Sequence, residues 1–240
     1  MLKTVEVRPK KIVCIHQPDF APYLGFFHRL LKVDLFVLLD DAQFVRKGKG
    51  WQNRDKIKTR QGEAWLTIPV QKAPLEETIN HIRLHLDRKW VNSALNLLTE
   101  NYRRAEFFDE YFPAFEKVLQ SNHELLIDLN LNILDVIYKI LDISVPTILA
   151  SQLAAQGNKN ERLIDILQKV SGTDYLSGVG ARDYMDEKKF LKAGIAVHWQ
   201  NFKHPIYPQL HGDFIPYLSV LDTIFNCGPE AKHILRRCDE

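Results

Sequence analysis

The sequence lacks the features that mark several large classes of protein. Its three cysteines, Cys14, Cys227 and Cys238, form no CxxC pair and no spacing typical of zinc ligands. Neither a disulfide framework nor a metal site is therefore predicted. No apolar run reaches roughly 18 residues, and the first residues lack the apolar core of a signal peptide. We expect a cytoplasmic protein without membrane insertion.

An excess of charge of one sign is also missing. The 32 basic and 30 acidic residues leave a net charge of +2, whereas general nucleic-acid binders usually carry a strong basic excess. The sequence contains no GxSxG elbow, no P-loop and no GxGxxG. Nucleic acid is therefore not an expected partner, and a small-molecule substrate is favoured.

The arrangement of apolar residues is typical of an α/β protein. Residues 11–16 indicate a buried parallel strand, because the four residues from Ile12 to Ile15 are consecutively apolar and do not alternate with polar ones. A helix over residues 22–32 and a strand over 35–39 follow, because apolar residues recur first at helical spacing and then continuously. The alternation returns after residue 146, with strands at 147–150, 175–178 and 195–199 and helices at 160–170 and 187–192. The sequence predicts an open parallel sheet with helices on both faces.

Other segments are expected to be additions to this core within one domain of 240 residues. Residues 46–70 are basic and strand-like around Gln61-Gly62, which predicts a hairpin insertion. Residues 87–141 predict a helical subdomain. The core then comprises residues 11–86 and 146–200, and residues 201–240 form a C-terminal helical segment broken at Gly228-Pro229.

Polar side chains follow the first two predicted strands. His16, Gln17 and Asp19 end the first strand, and Asp41 and Gln43 come after the second. Open α/β sheets bind ligands at the carboxyl ends of their strands. A histidine there is either a hydrogen-bonded structural residue or a catalyst. Our hypothesis takes His16 and Asp41 as catalytic, and Gln17, Asp19 and Gln43 as substrate-binding.

Two glycine-containing segments are candidates for binding a phosphate. Gly25 interrupts the first predicted helix, either for close packing of helix on strand or for the approach of a ligand phosphate. The stretch from Ser177 and Gly178 to Arg182 follows a later strand and is either a tight turn or an anion cradle. We predict that Gly25, Ser177, Gly178 and Arg182 bind a cofactor, and that Tyr23 contacts substrate.

The basic insertion carries aromatic and polar side chains among its cations. Lys47, Trp51, Asn53 and Arg54 either form a solvated face or hold an anionic or sugar-bearing substrate, with the aromatic ring stacking on it. Our hypothesis is the second of these.

Polar residues near the carboxyl end form the last candidate group. His204, Asp222 and Asn226 either close over the cleft or merely terminate helices. We take them as substrate-binding.

Ordered sequence blocks cover nearly the whole chain. They are Ile15-His16-Gln17-Pro18, Leu24-Gly25-Phe26-Phe27, residues 36–44, Trp51-Gln52-Asn53-Arg54, residues 65–70, Tyr175-Leu176-Ser177-Gly178, His204-Pro205-Ile206-Tyr207, Leu221-Asp222 and residues 225–230. Together they resemble the WbqC-like family. The resemblance implies a role in bacterial surface-polysaccharide and O-antigen biosynthesis, with transfer of glycine or another acyl unit.

The opening segment is also distantly similar to pantothenate synthetase and the HIGH-motif nucleotidyltransferase superfamily. That similarity implies a HUP or Rossmann-like core that binds ATP or another nucleotide and activates a carboxylate as an acyl-adenylate. The sequence departs from the motif, since Tyr23-Leu24-Gly25-Phe26 replaces both of its histidines. The use of a nucleotide therefore stays open.

Three functional hypotheses result. The first is a transferase or ATP-dependent amide ligase that attaches an amino-acid or acyl unit to an amino sugar, with His16 as general base. The second is a nucleotide-independent acyl transferase that uses a thioester of coenzyme A or of a carrier protein. The third is a noncatalytic binding or scaffold protein of a polysaccharide assembly complex.

Overall fold

A computed structural model describes residues 9–46 and 50–238. Its packing divides the chain into two units, each assembled from separated stretches of sequence. The first unit contains the residues up to His16, Lys32–Leu39 and Val145–Asn201. The second contains Gln17–Leu31, Asp40–Ser144 and the residues from Phe202 onward.

The first unit is built on a five-stranded sheet. Its strands are β1 (Ile12–His16), β2 (Leu35–Leu38), β5 (Thr147–Leu149), β6 (Asp174–Ser177) and β7 (Ala196–Trp199). They lie in the order β5-β2-β1-β6-β7, and every pair is parallel. From β1 the chain adds strands first on one side and later on the other, so the topology reverses between β1 and β6. The predicted α/β class is confirmed, with a Rossmann-like parallel sheet.

One face of this sheet carries the core of the first unit. Helices α5 (Lys159–Lys169) and α6 (Glu187–Lys192) contribute Ile166, Leu167 and Phe190 to a buried cluster with strand residues. Gly172, after α5, is required by this packing, because a Cβ there would lie 2.8 Å from Val13 Cγ2. Close approach of the α5–β6 connection to β1 therefore explains this glycine.

The second unit combines helices with a hairpin. Strands β3 (Arg54–Thr59) and β4 (Gly62–Thr67) pair antiparallel, as predicted for the insertion. Gly62 has φ +108, a conformation that side chains other than glycine rarely adopt, and it allows the tight reversal of the chain. The helices are α1 (Leu24–Leu30), α2 (Lys89–Tyr102), α3 (Phe108–Gln120), α4 (Leu126–Leu141), α7 (Val220–Cys227) and α8 (Ala231–Arg236).

Helix α7 lies at the centre of an apolar cluster. Phe225 packs edge-to-face against Phe108 and Phe115 of α3, with ring centroids 5.2 and 5.8 Å apart. Gly228 ends α7 with positive φ, and a Cβ there would meet the Phe107 ring at 2.3 Å. The break predicted at Gly228-Pro229 is confirmed, and the nearby Phe107 ring explains why residue 228 is glycine.

Most of the element boundaries predicted from sequence move by one to three residues. Helix α1 is shorter than the predicted 22–32, because Tyr23 is extended and the carbonyl of Pro22 accepts a hydrogen bond from Val220 N. Strand β2 ends at Leu38, so Asp40 and Asp41 lie in a turn and not on a strand. Among the helices of the described residues, none is both long and apolar enough to cross a bilayer.

Candidate functional site

The switch point of the first unit presents two of the predicted site residues. His16 is the last residue of β1 and Ser177 the last of β6, and these strands are parallel neighbours. The backbone is continued by bonds from Leu39 N to His16 O (2.8 Å) and from Gln200 N to Ser177 O (2.8 Å). The fold therefore brings the ends of the two strands to the same edge, where such sheets bind ligands.

The turn after β6 carries one buried and one exposed polar side chain of the predicted site. Ser177 is 4% exposed, and its hydroxyl is 3.5 Å from Gly178 O. Arg182 is exposed, and its guanidinium lies 5.2 Å from the centroid of the Trp199 ring. Gly180 has open space where a Cβ would be. The Arg182 guanidinium is thus stacked on Trp199 in this structure. Cofactor binding by Ser177, Gly178 and Arg182 stays a prediction.

The remaining predicted residues belong to the second unit. Gln43 is exposed, and its amide donates to Leu75 O at 2.8 Å, which holds it to the 74–78 loop. Asp41 is half-buried in the turn beside the buried Asp40. Lys47 lies outside the described residues. The structure therefore assigns Gln43 a contact within the fold, whereas Asp41 stays a predicted catalytic residue.

The hairpin insertion carries an aromatic face. Trp51 and Trp65 are 36% and 40% exposed, with ring centroids 5.3 Å apart. The Arg54 guanidinium lies 4.3 Å from the Trp65 ring. The Asn53 amide, in contrast, donates to Ile68 O at 2.8 Å and holds the hairpin. Trp51, Trp65 and Arg54 thus lie together, and substrate binding by Lys47, Trp51, Asn53 and Arg54 stays a prediction.

The start of α1 shows why residue 25 is glycine. A Cβ on Gly25 would lie 2.3 Å from Cε2 and 2.8 Å from the hydroxyl of Tyr23. The Tyr23 ring thus folds back over the first turn of the helix and occupies the space beside Gly25. This contact is a reason for the glycine that the sequence did not indicate, and binding of a phosphate at Gly25 stays a prediction.

Hydrogen bonds fix the loop that leads into α1. The Asn130 amide donates to Pro18 O at 2.8 Å and to Gln52 O at 2.7 Å. The Gln52 amide donates to Gln17 Oε1, and Phe20 N donates to Trp51 O at 3.0 Å. Gln17 is therefore part of the scaffold that positions Asp19.

Asp19 and Asp55 form a buried acidic centre. Asp19 is 7% exposed and Asp55, on β3, is 3% exposed. Burial raises the pKa of Asp19 from its ordinary value of 3.8 to about 7, and Arg29 offsets part of this rise. Burial likewise raises the pKa of Asp55 far above its usual range, and the charge of Asp19 adds to it. Asp19 can therefore gain or lose a proton near neutral pH, which general acid–base catalysis requires.

Aromatic rings adjoin the acidic centre. Tyr23 packs edge-on against Phe202 and Tyr217, each at 5.9 Å between centroids, and burial raises the pKa of its hydroxyl. His204 lies 5.0 Å from the ring of Tyr217. Its Nδ1 is 2.9 Å from Pro205 O, so Nδ1 is the nitrogen that carries the proton. Burial lowers the pKa of His204, which is therefore a neutral acceptor.

Backbone strain accompanies this cluster. Ala21 has φ +41 and Tyr217 has φ +59, a region that is rare for residues other than glycine. The Ser219 hydroxyl donates to Ala21 O at 2.6 Å, and Ser219 N donates to Lys56 O at 2.8 Å. These bonds hold both strained segments in place. Strained backbone is typical of functional sites.

Asp222 lies in a separate buried network. It is 0% exposed, and its two oxygens accept hydrogen bonds from the hydroxyls of Tyr102 (2.8 Å) and Tyr207 (2.9 Å). Lys58, 1% exposed, donates to Gln209 Oε1 and to Asp213 O at 3.1 and 2.5 Å. The Asn226 amide donates to Asp222 O at 2.7 Å. The predicted substrate ligands Asp222 and Asn226 are thus engaged inside the fold.

The model of the WbqC-like protein family matches residues 17–234. The chain belongs to the WbqC-like family. This WbqC-like protein is also 35% identical over 231 residues to the uncharacterized protein Rv1507c of Mycobacterium tuberculosis strain H37Rv. The alignment covers 95% of this chain and 99% of that protein. The resemblance predicted from the sequence blocks is confirmed.

The acidic centre of this WbqC-like protein was only partly visible in its sequence. Asp19, Tyr23 and His204 were predicted, whereas Arg29, Asp55 and Tyr217 were not. Arg29 lies in a short helix that is buried on all sides. Asp55 stands within a run of lysines and arginines. Its burial could have been predicted only from its position two residues before the apolar Ile57, on the same face of β3.

Proposed function

We propose that this WbqC-like protein is an enzyme that forms an amide or ester bond by acyl transfer. It attaches an amino-acid or other acyl unit to an amino sugar during bacterial surface-polysaccharide synthesis in the cytoplasm. The observation that carries the proposal is the buried Asp19 carboxyl. Its pKa is about 7, and the carboxyl lies near Asp55 and Tyr23. Catalytic acids and bases are tuned in this way by burial.

Asp19 takes the place that the sequence hypothesis gave to His16. In the proposed reaction the amine nitrogen of the sugar attacks the carbonyl carbon of the donor. The new carbon–nitrogen bond forms, the leaving group departs from the carbonyl, and Asp19 accepts the proton of the amine. Arg29 and the Tyr23 hydroxyl stabilise the negative charge that develops on the carbonyl oxygen.

Two features support a sugar-bearing acceptor. Trp51 and Trp65 expose indole faces on the hairpin, and Arg54 is stacked on one of them. Aromatic faces pack against the apolar face of a sugar ring, and the guanidinium is suited to a linked phosphate. The acceptor proposed is therefore an amino sugar on a nucleotide carrier.

The route by which the donor is activated has two versions. An ATP-dependent ligase would use the Ser177–Arg182 turn for the nucleotide. A thioester of coenzyme A or of a carrier protein needs no nucleotide, and the replacement of both motif histidines at Tyr23 and Phe26 favours it. A noncatalytic scaffold would need no proton-transfer group, so the tuned Asp19 carboxyl argues against it.

The test is a turnover assay followed by mass spectrometry. The protein is incubated with UDP-linked amino sugars, with free amino acids plus ATP, and with acyl thioesters of coenzyme A. A new amide product with wild-type protein and at least a 100-fold lower rate with Asp19→Asn support the proposal. No product from any pair, with tight capture of a protein partner, would instead identify the scaffold function. Product formed without ATP would select the thioester version.

A further inference from the structure

Arg29 is a buried cation whose donors the described fold does not use up. It lies in α1, and the residue is only 5% exposed. Its Nε is buried and has no hydrogen-bond partner among residues 9–46 and 50–238. Arginine is almost never fully buried unless it is paired. A buried guanidinium donor without an acceptor therefore needs an explanation, and a bound ligand is one.

Asp19 does not supply the missing acceptor. A carboxylate held in a close ion pair with arginine has a lowered pKa. The pKa of Asp19 is instead raised to about 7, with the attraction of Arg29 as the smaller effect. The two groups are thus within electrostatic reach, and the buried Nε of Arg29 is the donor that stays available for a second oxyanion.

The surroundings suit a small organic acid. The guanidinium lies 5.9 Å from the centroid of the Phe26 ring. The electrostatic neighbours of Tyr23 are Arg29, Tyr217, Asp19 and Asp55, which places these groups in one cluster. A carboxylate would bind the fork through two parallel hydrogen bonds, and its hydrocarbon part would pack on the rings.

We propose that Arg29 is the binding site for the carboxylate of the acyl or aminoacyl donor. The assignment rests on the proposed function, because it takes the ligand to be the donor of that reaction. It deepens that function by selecting its ATP-dependent version, in which the donor arrives as a free acid and is activated by ATP before the amine attacks. Arg29 is a substrate-binding residue that the sequence did not indicate.

Binding at this position is linked to pH through Asp19. A protonated Asp19 donates to the bound carboxylate, whereas an ionised Asp19 repels it. Within residues 9–46 and 50–238, the charged or titratable groups that act on Asp19 and Tyr23 include Arg29 on α1, Asp55 on β3 and Tyr217, and Lys56 acts on Asp55. Of these, Asp55 acts in the same direction as Asp19. Acetate should therefore bind more tightly at pH 6 than at pH 8.

The first experiment is calorimetric titration of the full chain with sodium acetate, at constant ionic strength maintained with chloride. Acetate should bind wild type at least fivefold more tightly at pH 6 than at pH 8. Arg29→Lys keeps the charge but loses the planar fork, and should weaken binding at least tenfold. The exposed Arg104→Lys is the matched control and should bind as wild type does. Asp19→Asn should remove most of the pH dependence.

A second measurement does not depend on a variant folding. The Arg29 side-chain Nε–H resonance of isotope-labelled wild type should shift on addition of acetate and not of chloride. No shift at saturating acetate, or a shift with inorganic phosphate alone, overturns the proposal. Acetate binding without turnover of any substrate pair would support this carboxylate site and contradict the proposed acyl transfer. Turnover without acetate binding would support the acyl transfer and contradict the carboxylate site.

Discussion

Two buried aspartates in the second unit show what separates a structural carboxyl from a candidate catalytic one. Asp222 and Asp19 are both buried, and burial raises the pKa of both. Both oxygens of Asp222 accept tyrosine hydroxyls, and these bonds with Lys58 counter the effect of burial. At Asp19 the main countering influence is the charge of Arg29. Burial alone therefore does not distinguish the two carboxyls; they differ in the groups that stabilise their ionised form.

The largest loss of stability is expected at Asp222, whose carboxyl accepts two tyrosine hydrogen bonds. Asp222→Ala would leave the Tyr102 and Tyr207 hydroxyls without their acceptor and would remove a negative charge that interacts with Lys58. We expect a loss of about 3–5 kcal/mol in the free energy of unfolding. Urea denaturation measures it, with the exposed Asp183→Ala as control. A loss below about 1 kcal/mol would mean that the Asp222 network contributes little to stability.

Asp19→Asn should show the opposite balance between stability and activity. The variant keeps the shape of the side chain but cannot accept a proton, so turnover should fall by at least 100-fold, equivalent to about 2.7 kcal/mol of barrier. Its fold should survive, because a neutral amide avoids the cost of a buried charge. In wild type the rate should rise with pH up to about 7 and then level off. Unchanged turnover in the folded variant would remove Asp19 from the reaction.

Stability should depend on pH in a way that isolates Asp19. Its pKa is raised in the folded state, so stability is fully present below the unfolded pKa of 3.8 and is lost as pH rises through about 7. Relative to wild type, Asp19→Asn should gain up to about 1.4 kcal/mol per pH unit between pH 4 and 7. By pH 8 we expect it to be about 1–3 kcal/mol more stable than wild type. Parallel stability curves for the two proteins would contradict the raised pKa.

The smallest effect concerns the ring that adjoins the acidic centre. Gly25→Ala would force the Tyr23 ring away from α1, because its Cβ would lie 2.3 Å from that ring. Overpacking should cost about 1–3 kcal/mol, offset in part by better helix propensity. In a Tyr23→Ala background the same change should be neutral or stabilising. A double-mutant cycle from urea denaturation gives the coupling, and additive effects would exclude this contact.

The fold was largely predictable because its signals are local. Continuous apolar runs such as 12–15 identify parallel strands, and residues 187–192 were predicted as a helix with the observed bounds. Helix α1 was overextended, because its start is fixed by the Tyr23–Ser219 bridge, and no local pattern reveals a partner 196 residues away. The family was predictable for a different reason, since it rests on many ordered sequence blocks.

The candidate site was predictable only where polar residues stand next to strand ends or in motifs. Asp19 and Tyr23 satisfy that condition, and Arg29, Asp55 and Tyr217 do not. Asp55 sits between Arg54 and Lys56, so the sequence shows it as one charge in a solvated basic run. Its burial follows from pairing of β3 with β4 and from the bond of Lys56 O with Ser219. Such contacts between distant segments cannot be read from single-sequence patterns.

The most direct test of this account is the pKa of the Asp19 carboxyl itself. Carbon NMR of protein labelled at the aspartate carboxyl carbons, titrated from pH 3 to 9, follows each group, and Asp19→Asn assigns the resonance by its disappearance. The account predicts a titration midpoint of about 7 for Asp19. A midpoint close to the ordinary value of 3.8 would contradict it, because Asp19 would then be a compensated structural carboxylate like any other.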